Sequence, residues 1–422
     1  MNLFKKTIFL LFLTLLSFKV SATYLLIPMD NTQKNHIKAY GVAYWVLQNN
    51  VEIDWLLNYR GGSFMIKHIK KIEEELIIRG VSFEVIANVK STAILSEISD
   101  PEVNMDVVKL EKQPKIAVYS PKNKQPWDDA VTLVLKYAEI PYNVVYDDEI
   151  IEGLLPKYDW LHLHHEDFTG QYGKFYFRYR NAPWYREQVR YNEETATRLG
   201  FNKVSQLKLA VAKKIKEFTF GGGFLFAMCS GTDALDIALS AEGLDICESM
   251  FDGDGSTPNY NSKLDYSKTF AFKDFTLKIS PTEYEFSNID ATQTHAKTPK
   301  SIDNFTLFDF SAKWDLVPTI LCQNHTSIVN GFYGQTTGYN KQFLKSNVLI
   351  MGENKSLNSA KYIHGEMGKG TWTFYGGHDP ADYQHMVGDP PTDLNLHPNS
   401  AGYRLILNNI LFPAAKKKKQ KT

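Results

Sequence analysis

Phe218 to Leu239 reads FTFGGGFLFAMCSGTDALDIAL, and Cys229 stands at its turning point. Before it, Phe224-Leu225-Phe226-Ala227-Met228 has the length and uniform apolarity of a strand buried on both faces. After it, Ala234, Leu235, Ile237, Ala238 and Leu239 follow a helical period, with Thr232 or Asp233 available as N-cap. The small residues Ala227 and Gly231 lie two before and two after the cysteine. That spacing is what a nucleophile elbow needs to bend sharply between strand and helix. A free cysteine is most often an inert core residue. At a helix N-terminus, free N–H groups and the positive dipole end would instead favour thiolate and hold a developing oxyanion.

Two other polar groupings follow strands. Tyr158 to His165 (YDWLHLHH) runs into His164, His165, Glu166 and Asp167, then Thr169-Gly170. Thr371 to Tyr375 (TWTFY) runs into Gly376-Gly377-His378-Asp379-Pro380. If all three strands are parallel neighbours, their C-terminal ends share one edge, where α/β sheets bind ligands. His378 could then reach across toward Cys229.

The elements that must position these residues alternate. Lys115 to Tyr119, Tyr142 to Tyr146 and Tyr158 to His165 are strands, with a helix at Trp127 to Glu139 whose first turn holds Asp128 and Asp129. Val204 to Phe218 is a basic amphipathic helix, its charges read as a solvated face, and Ala401 to Leu411 a closing helix. This predicts an α/β, doubly wound (flavodoxin-like), mainly parallel sheet with helices on both faces over 113–413. An N-terminal α/β block over 23–112 precedes it, also read as parallel, with a helix at Ile66 to Arg79 and a polar segment at Glu97 to Gln113. A β-rich insertion over about 252–318 interrupts it. Phe175 to Asn192, rich in Tyr, Trp and Arg, reads as a surface excursion able to touch substrate. Asp252-Gly253-Asp254-Gly255-Ser256 opens like a calcium loop, but its twelfth position is Lys263 rather than glutamate, so a turn without metal is expected.

The 422 residues carry 47 basic and 47 acidic side chains, which gives no reason to expect nucleic acid as a partner. Lys5 and Lys6, the apolar Thr7 to Phe18 and the small Val20-Ser21-Ala22 read as a signal peptide over 1–22. An exported, periplasmic or extracellular protein without a stable membrane anchor is expected, ending in a basic tail at 414–422. Its three cysteines are Cys229, Cys247 and Cys322; if the latter two pair, Cys229 is the odd thiol.

Through AMCSG at Cys229 and GGHDP at His378, the chain from roughly Pro114 to Leu411 resembles the class I glutamine amidotransferase-like superfamily. The resemblance implies Cys229 as nucleophile, His378 as base and backbone N–H groups as the oxyanion hole. Glutaminase members carry glutamate two residues after the histidine; here that residue is Pro380. The triad acid must then be Asp379, Asp382 or Glu166, or be missing. The whole chain is also similar to secreted bacterial proteins sometimes labelled asparagine synthetase B, yet it has neither an N-terminal catalytic cysteine nor an SGG-type ATP-pyrophosphatase loop. The expectation is a Cys–His hydrolase acting on an amide or peptide-like bond without a cofactor. Cys229, His378 and Glu166 would be catalytic, and Ser230, Gly231, His165 and Gly170 would surround the oxyanion and substrate. The alternative is a catalytically inactive amidotransferase-like protein that binds a glycan or peptide.

Overall fold

The computed structural model describes residues 22–123 and 125–416. All of the leader read over 1–22 except Ala22, and the tail beyond Lys416, fall outside the described residues. Among those described, no helix is long and apolar enough to cross a membrane.

The chain is mixed α/β, built on two sheets. The first has five strands, β1 (Ala22–Ile27), β2 (Ile53–Leu57), β3 (Ser63–Lys67), β4 (Glu84–Ala87) and β5 (Asp106–Leu110), in the order β4-β1-β3-β2-β5. Every pairing is antiparallel, which corrects the parallel reading of this block. The cause is the stretch Asn58 to Gly62. Positive φ at Asn58, Arg60, Gly61 and Gly62 reverses the chain within five residues, so β3 folds back on β2 as a hairpin. The helix expected from Ile66 is shortened to Lys70–Ile78, because its first residues belong to β3. The polar segment contains β5, and the helix Asn88–Ser99 precedes it.

The second sheet has ten strands. β6 (Ile116–Tyr119), β7 (Asn143–Val145), β8 (Trp160–Leu163) and β9 (Phe224–Met228) come first in the chain. β10 (Asn304–Leu307), β11 (Ile328–Asn330), β12 (Tyr339–Asn340), β13 (Leu349–Asn354), β14 (Ser359–Met367) and β15 (Gly370–Tyr375) follow. Their order is β11-β10-β13-β14-β15-β9-β8-β6-β7, with β12 on β14. From β7 to β15 the pairs are parallel; from β15 outward they are antiparallel. The sheet is therefore half parallel rather than mainly so. The insertion supplies β10 from its far end, whereas Thr269 to Phe272 and Thr276 to Ile279 make only isolated bridges.

Along β9, alternate side chains enter two separate cores. Phe226 and Met228 pack with the helices His36–Gln48, Ala130–Ala138 and Ala401–Leu411. Leu225 and Ala227 pack with Val204–Gly221 and Ser230–Ser240. This two-sided burial explains the uninterrupted apolar run. The first sheet is joined to the second through Arg404, wholly buried, whose guanidinium donates to the carbonyls of Met29 (2.8 Å) and Gly61 (2.5 Å).

The charges of Val204–Gly221 are not all solvated, contrary to the sequence reading. Lys208 is buried and its Nζ meets both Asp147 oxygens (2.8 and 3.0 Å) and the hydroxyls of Tyr119 and Tyr146, each at 3.0 Å.

Candidate functional site

β8, β9 and β15 lie side by side in register, Leu163 beside Ala227 and Tyr375 beside Met228. Their C-terminal ends deliver His164, Cys229 and the Gly376-Gly377-His378 turn to one edge, as the spacing predicted.

Cys229 has φ 52° and ψ −141°, a conformation that normally belongs to glycine. The helix Ser230–Ser240 starts directly behind it. Gly231 lets that helix approach β8: its N–H donates to the His164 carbonyl at 2.6 Å, and a Cβ there would stand 2.2 Å from the same oxygen. Cys229 is 2% exposed, and its sulfur faces three backbone N–H groups, those of Gln335 (3.2 Å), Thr336 and Ser230. Burial outweighs these donors and pushes the thiol up to about 11, so the expected thiolate is corrected to a neutral thiol. All three cysteines are free; Cys247 donates to the Thr169 carbonyl at 3.3 Å.

Two of these N–H groups, Gln335 and Thr336, belong to a loop far from the Glu166 to Gly170 segment in the chain. Their loop is clamped by Lys361, buried, whose Nζ donates to the carbonyls of Phe332 (2.6 Å) and Thr337 (2.7 Å). Burial brings this amine down to about 7, and two donated bonds are what a neutral amine can make. Gly170 packs against Ser205, and the Ser230 hydroxyl is buried without a partner.

His378 is 8% exposed and neither of its ring nitrogens has a hydrogen-bond partner. Burial, then the charges of His164 and His385, hold it well below the ordinary histidine range, so its imidazole is neutral. None of the three expected acids engages it. Glu166 makes no hydrogen bond to His378, and burial pushes its carboxyl up to about 8. Asp379 is tied to the Ala381 and Asp382 N–H groups and the Tyr403 hydroxyl (2.9 Å). Asp382 pairs with His385 at 3.2 Å.

His385 itself lies between Asp382 and Asp128 (2.7 Å), and its hydrogen bond to Asp128 raises it to about 9. Its ring stacks on His378 with centroids 4.9 Å apart. On the other side, His164 is 4.5 Å from His378 between centroids and His165 lies parallel to it at 5.7 Å. Asp129 caps the helix Ala130–Ala138 through Oδ1 (2.8 Å to the Thr132 N–H). Its Oδ2 faces His162 (3.3 Å) and His164 (3.4 Å). Sequence reasoning gave Asp128 and Asp129 only a place in a helix turn and passed over His385, although it follows Asp382 by three residues.

Cys229, His165 and His378 line one cavity of about 350 Å³. Phe175 and Tyr179 of the aromatic excursion line it too. There Trp127 stacks on Phe175 at 5.2 Å and Tyr179 meets Trp184 at 5.1 Å. The Asp252 to Ser256 turn lies elsewhere: Lys203 fills it, bonded to Asp245 (2.6 Å), Asp252 (3.0 Å) and Asp254.

No protein-family model matches the chain, and no curated protein matches it. Among solved structures, it is similar to the cytoplasmic protein STM3548 from Salmonella typhimurium at 9% identity, over 72% of this chain and 100% of that one, with a TM-score of 0.33. STM1381 from Salmonella typhimurium LT2 aligns at 12% identity over the same shares, with a TM-score of 0.33. Gan42B, a GH42 β-galactosidase from G. stearothermophilus, aligns at 10% identity over 64% of this chain and 28% of its own, with a TM-score of 0.27.

Proposed function

We propose that the chain is an exported Cys–His hydrolase acting on an amide or peptide-like bond, on a flavodoxin-like, doubly wound half-sheet of the class I glutamine amidotransferase-like type. The order β7-β6-β8-β9-β15, in chain order 2-1-3-4-5, supports that fold reading. The observation that carries the function is Cys229 itself. A cysteine held at φ 52° costs about 1–3 kcal/mol of strain that glycine would avoid, and strain of this kind collects at functional residues. Around it, three N–H groups converge on the sulfur, and an oxyanion formed beside Sγ would take them as donors.

The resting pair is a neutral thiol and a neutral imidazole. His378 takes the proton as Sγ attacks the carbonyl carbon. The N–H groups of Gln335, Thr336 and Ser230 receive the oxyanion. The amine leaves with the proton from His378, and water then cleaves the thioester to release the acid. A second reading, a glycan- or peptide-binding protein without catalysis, is favoured by the aromatic wall at Phe175 and Tyr179 and by the thiol held at about 11.

Release of p-nitroaniline from a panel of aminoacyl and short-peptide anilides tests the choice. Turnover by the wild type that disappears in Cys229→Ser, with circular dichroism unchanged, supports the hydrolase. Turnover that survives Cys229→Ser, or binding of these peptides without cleavage, refutes it and leaves the binding protein.

A further inference from the structure

The floor of the cavity holds more unsatisfied imidazole than acyl transfer needs. His164 is 1% exposed and His378 8%. His164 Nε2, His165 Nδ1 and both nitrogens of His378 are buried without a hydrogen-bond partner. One ligand-capable atom from each of these three residues lies within 4.8 Å of the other two. Unpaired polar atoms in a buried site are costly, so three converging imidazoles imply a shared partner.

The surroundings favour a cation. Asp129 Oδ2 lies 3.4 Å from His164 Nδ1, the carboxylate–histidine pairing that leaves Nε2 free to ligate. Behind His378, whose ring stacks on His385, two further carboxylates pair with His385: Asp128 at 2.7 Å and Asp382 at 3.2 Å.

We propose that His164, His165 and His378 bind a divalent transition metal of the zinc–cobalt type, with an open coordination position facing the cavity. An all-imidazole donor set selects this class over calcium or magnesium, which take oxygen ligands. The metal exchanges three of its waters for three imidazole lone pairs, and no electrons are transferred. Trp127 responds to the exchange: its indole N–H donates to His165 Nε2, which keeps the His165 proton on Nδ1. Ligation through Nδ1 breaks that bond and alters the indole's fluorescence. The metal site bears on the hydrolase reading in one respect. A metal on His378 occupies the lone pair that would take the thiol proton, so metal binding and turnover through Cys229 exclude each other.

Metal-free full-length chain is titrated with Co²⁺, followed by visible ligand-field absorption and Trp fluorescence, with Zn²⁺ as competitor. One Co²⁺ per chain, displaced by Zn²⁺, is expected. Asp129→Asn should weaken it roughly 10–100-fold by loosening His164. His164→Gln and His378→Gln should each weaken it by at least as much. Absence of a saturable band in the wild type, meaning that water alone fills the gap, overturns the site. So does wild-type affinity in both Gln variants. Because the wild-type band and fluorescence are read without substrate, the site stands or falls apart from the hydrolase. Co²⁺ binding together with no anilide cleavage by the metal-free chain rejects only the hydrolase; cleavage by the wild type that is lost in Cys229→Ser, without any Co²⁺ binding, rejects only the metal.

Discussion

The neutral state of Cys229 is open to direct measurement. With Cys247 and Cys322 both changed to Ser, the perturbation is pH and the readout is the rate of iodoacetamide alkylation. Burial raises the thiol to about 11 from an ordinary 9.0, a penalty of roughly 3 kcal/mol on the thiolate. At pH 7 the thiolate fraction falls from about 10⁻² to about 10⁻⁴. The more basic sulfur recovers roughly eightfold through its greater nucleophilicity, since reactivity rises with thiol pKa at a slope of about 0.4–0.5. The net expectation is labelling about tenfold slower than a free thiol at pH 7, before any hindrance from the cavity walls. The logarithm of the rate should rise with unit slope through pH 8 to 10. A plateau or inflection below pH 8 would mean that the three N–H groups already hold a thiolate, and the reasoning from burial would be wrong.

Two further outcomes concern the buried charges. Lys208→Ala leaves Asp147 buried and uncompensated, and urea unfolding should show a loss of about 3–5 kcal/mol. The double variant Lys208→Met/Asp147→Leu should recover much of that loss; a double variant no more stable than Lys208→Ala would refute the desolvation argument. Lys361, brought down from 10.5 to about 7, carries fewer protons folded than unfolded between those values. Its depressed value makes stability rise with pH from about 7 toward 10.5 and fall as pH is lowered through that window. Lys361→Met should flatten this part of the pH–stability curve in urea unfolding, and an unchanged slope would show that Lys361 is charged in the folded protein.

What could be read from the chain was local. Ala227, Cys229 and Gly231 signal the elbow because the constraint acts within five residues: Gly231 must lack a Cβ where its helix meets the His164 carbonyl. The strand ends bearing His164 and His378 were legible for the same reason, an apolar run closed by polar or glycine residues. The N-terminal hairpin was not, because Asn58 and Arg60 take positive φ without being glycine and so give no turn signal of their own. β3 and the helix after it also merge into one apolar pattern from Ile66 onward, so a strand was read as the start of a helix.

The N–H groups that meet the Cys229 sulfur lay beyond sequence reasoning for a different cause. Gln335 reaches the sulfur from 106 residues away, on a loop that belongs to no strand or helix and is fixed by a buried lysine. A backbone N–H carries no residue type, so nothing in the chain marks where such a donor comes from. The same holds for the acid. A search by spacing from His378 finds Asp379, Asp382 and Glu166, each chosen for its proximity in sequence or at a strand end. Folding assigns those carboxyls to a turn and the Tyr403 hydroxyl, to His385 and to a buried place away from the His378 nitrogens. The residues that charge the site come from separate strands: Asp128 and Asp129 follow β6 and His385 follows β15, and the order β15-β9-β8-β6 brings them to one edge. An elbow can be written in a few residues, whereas the electrostatics of its site belong to the strand order.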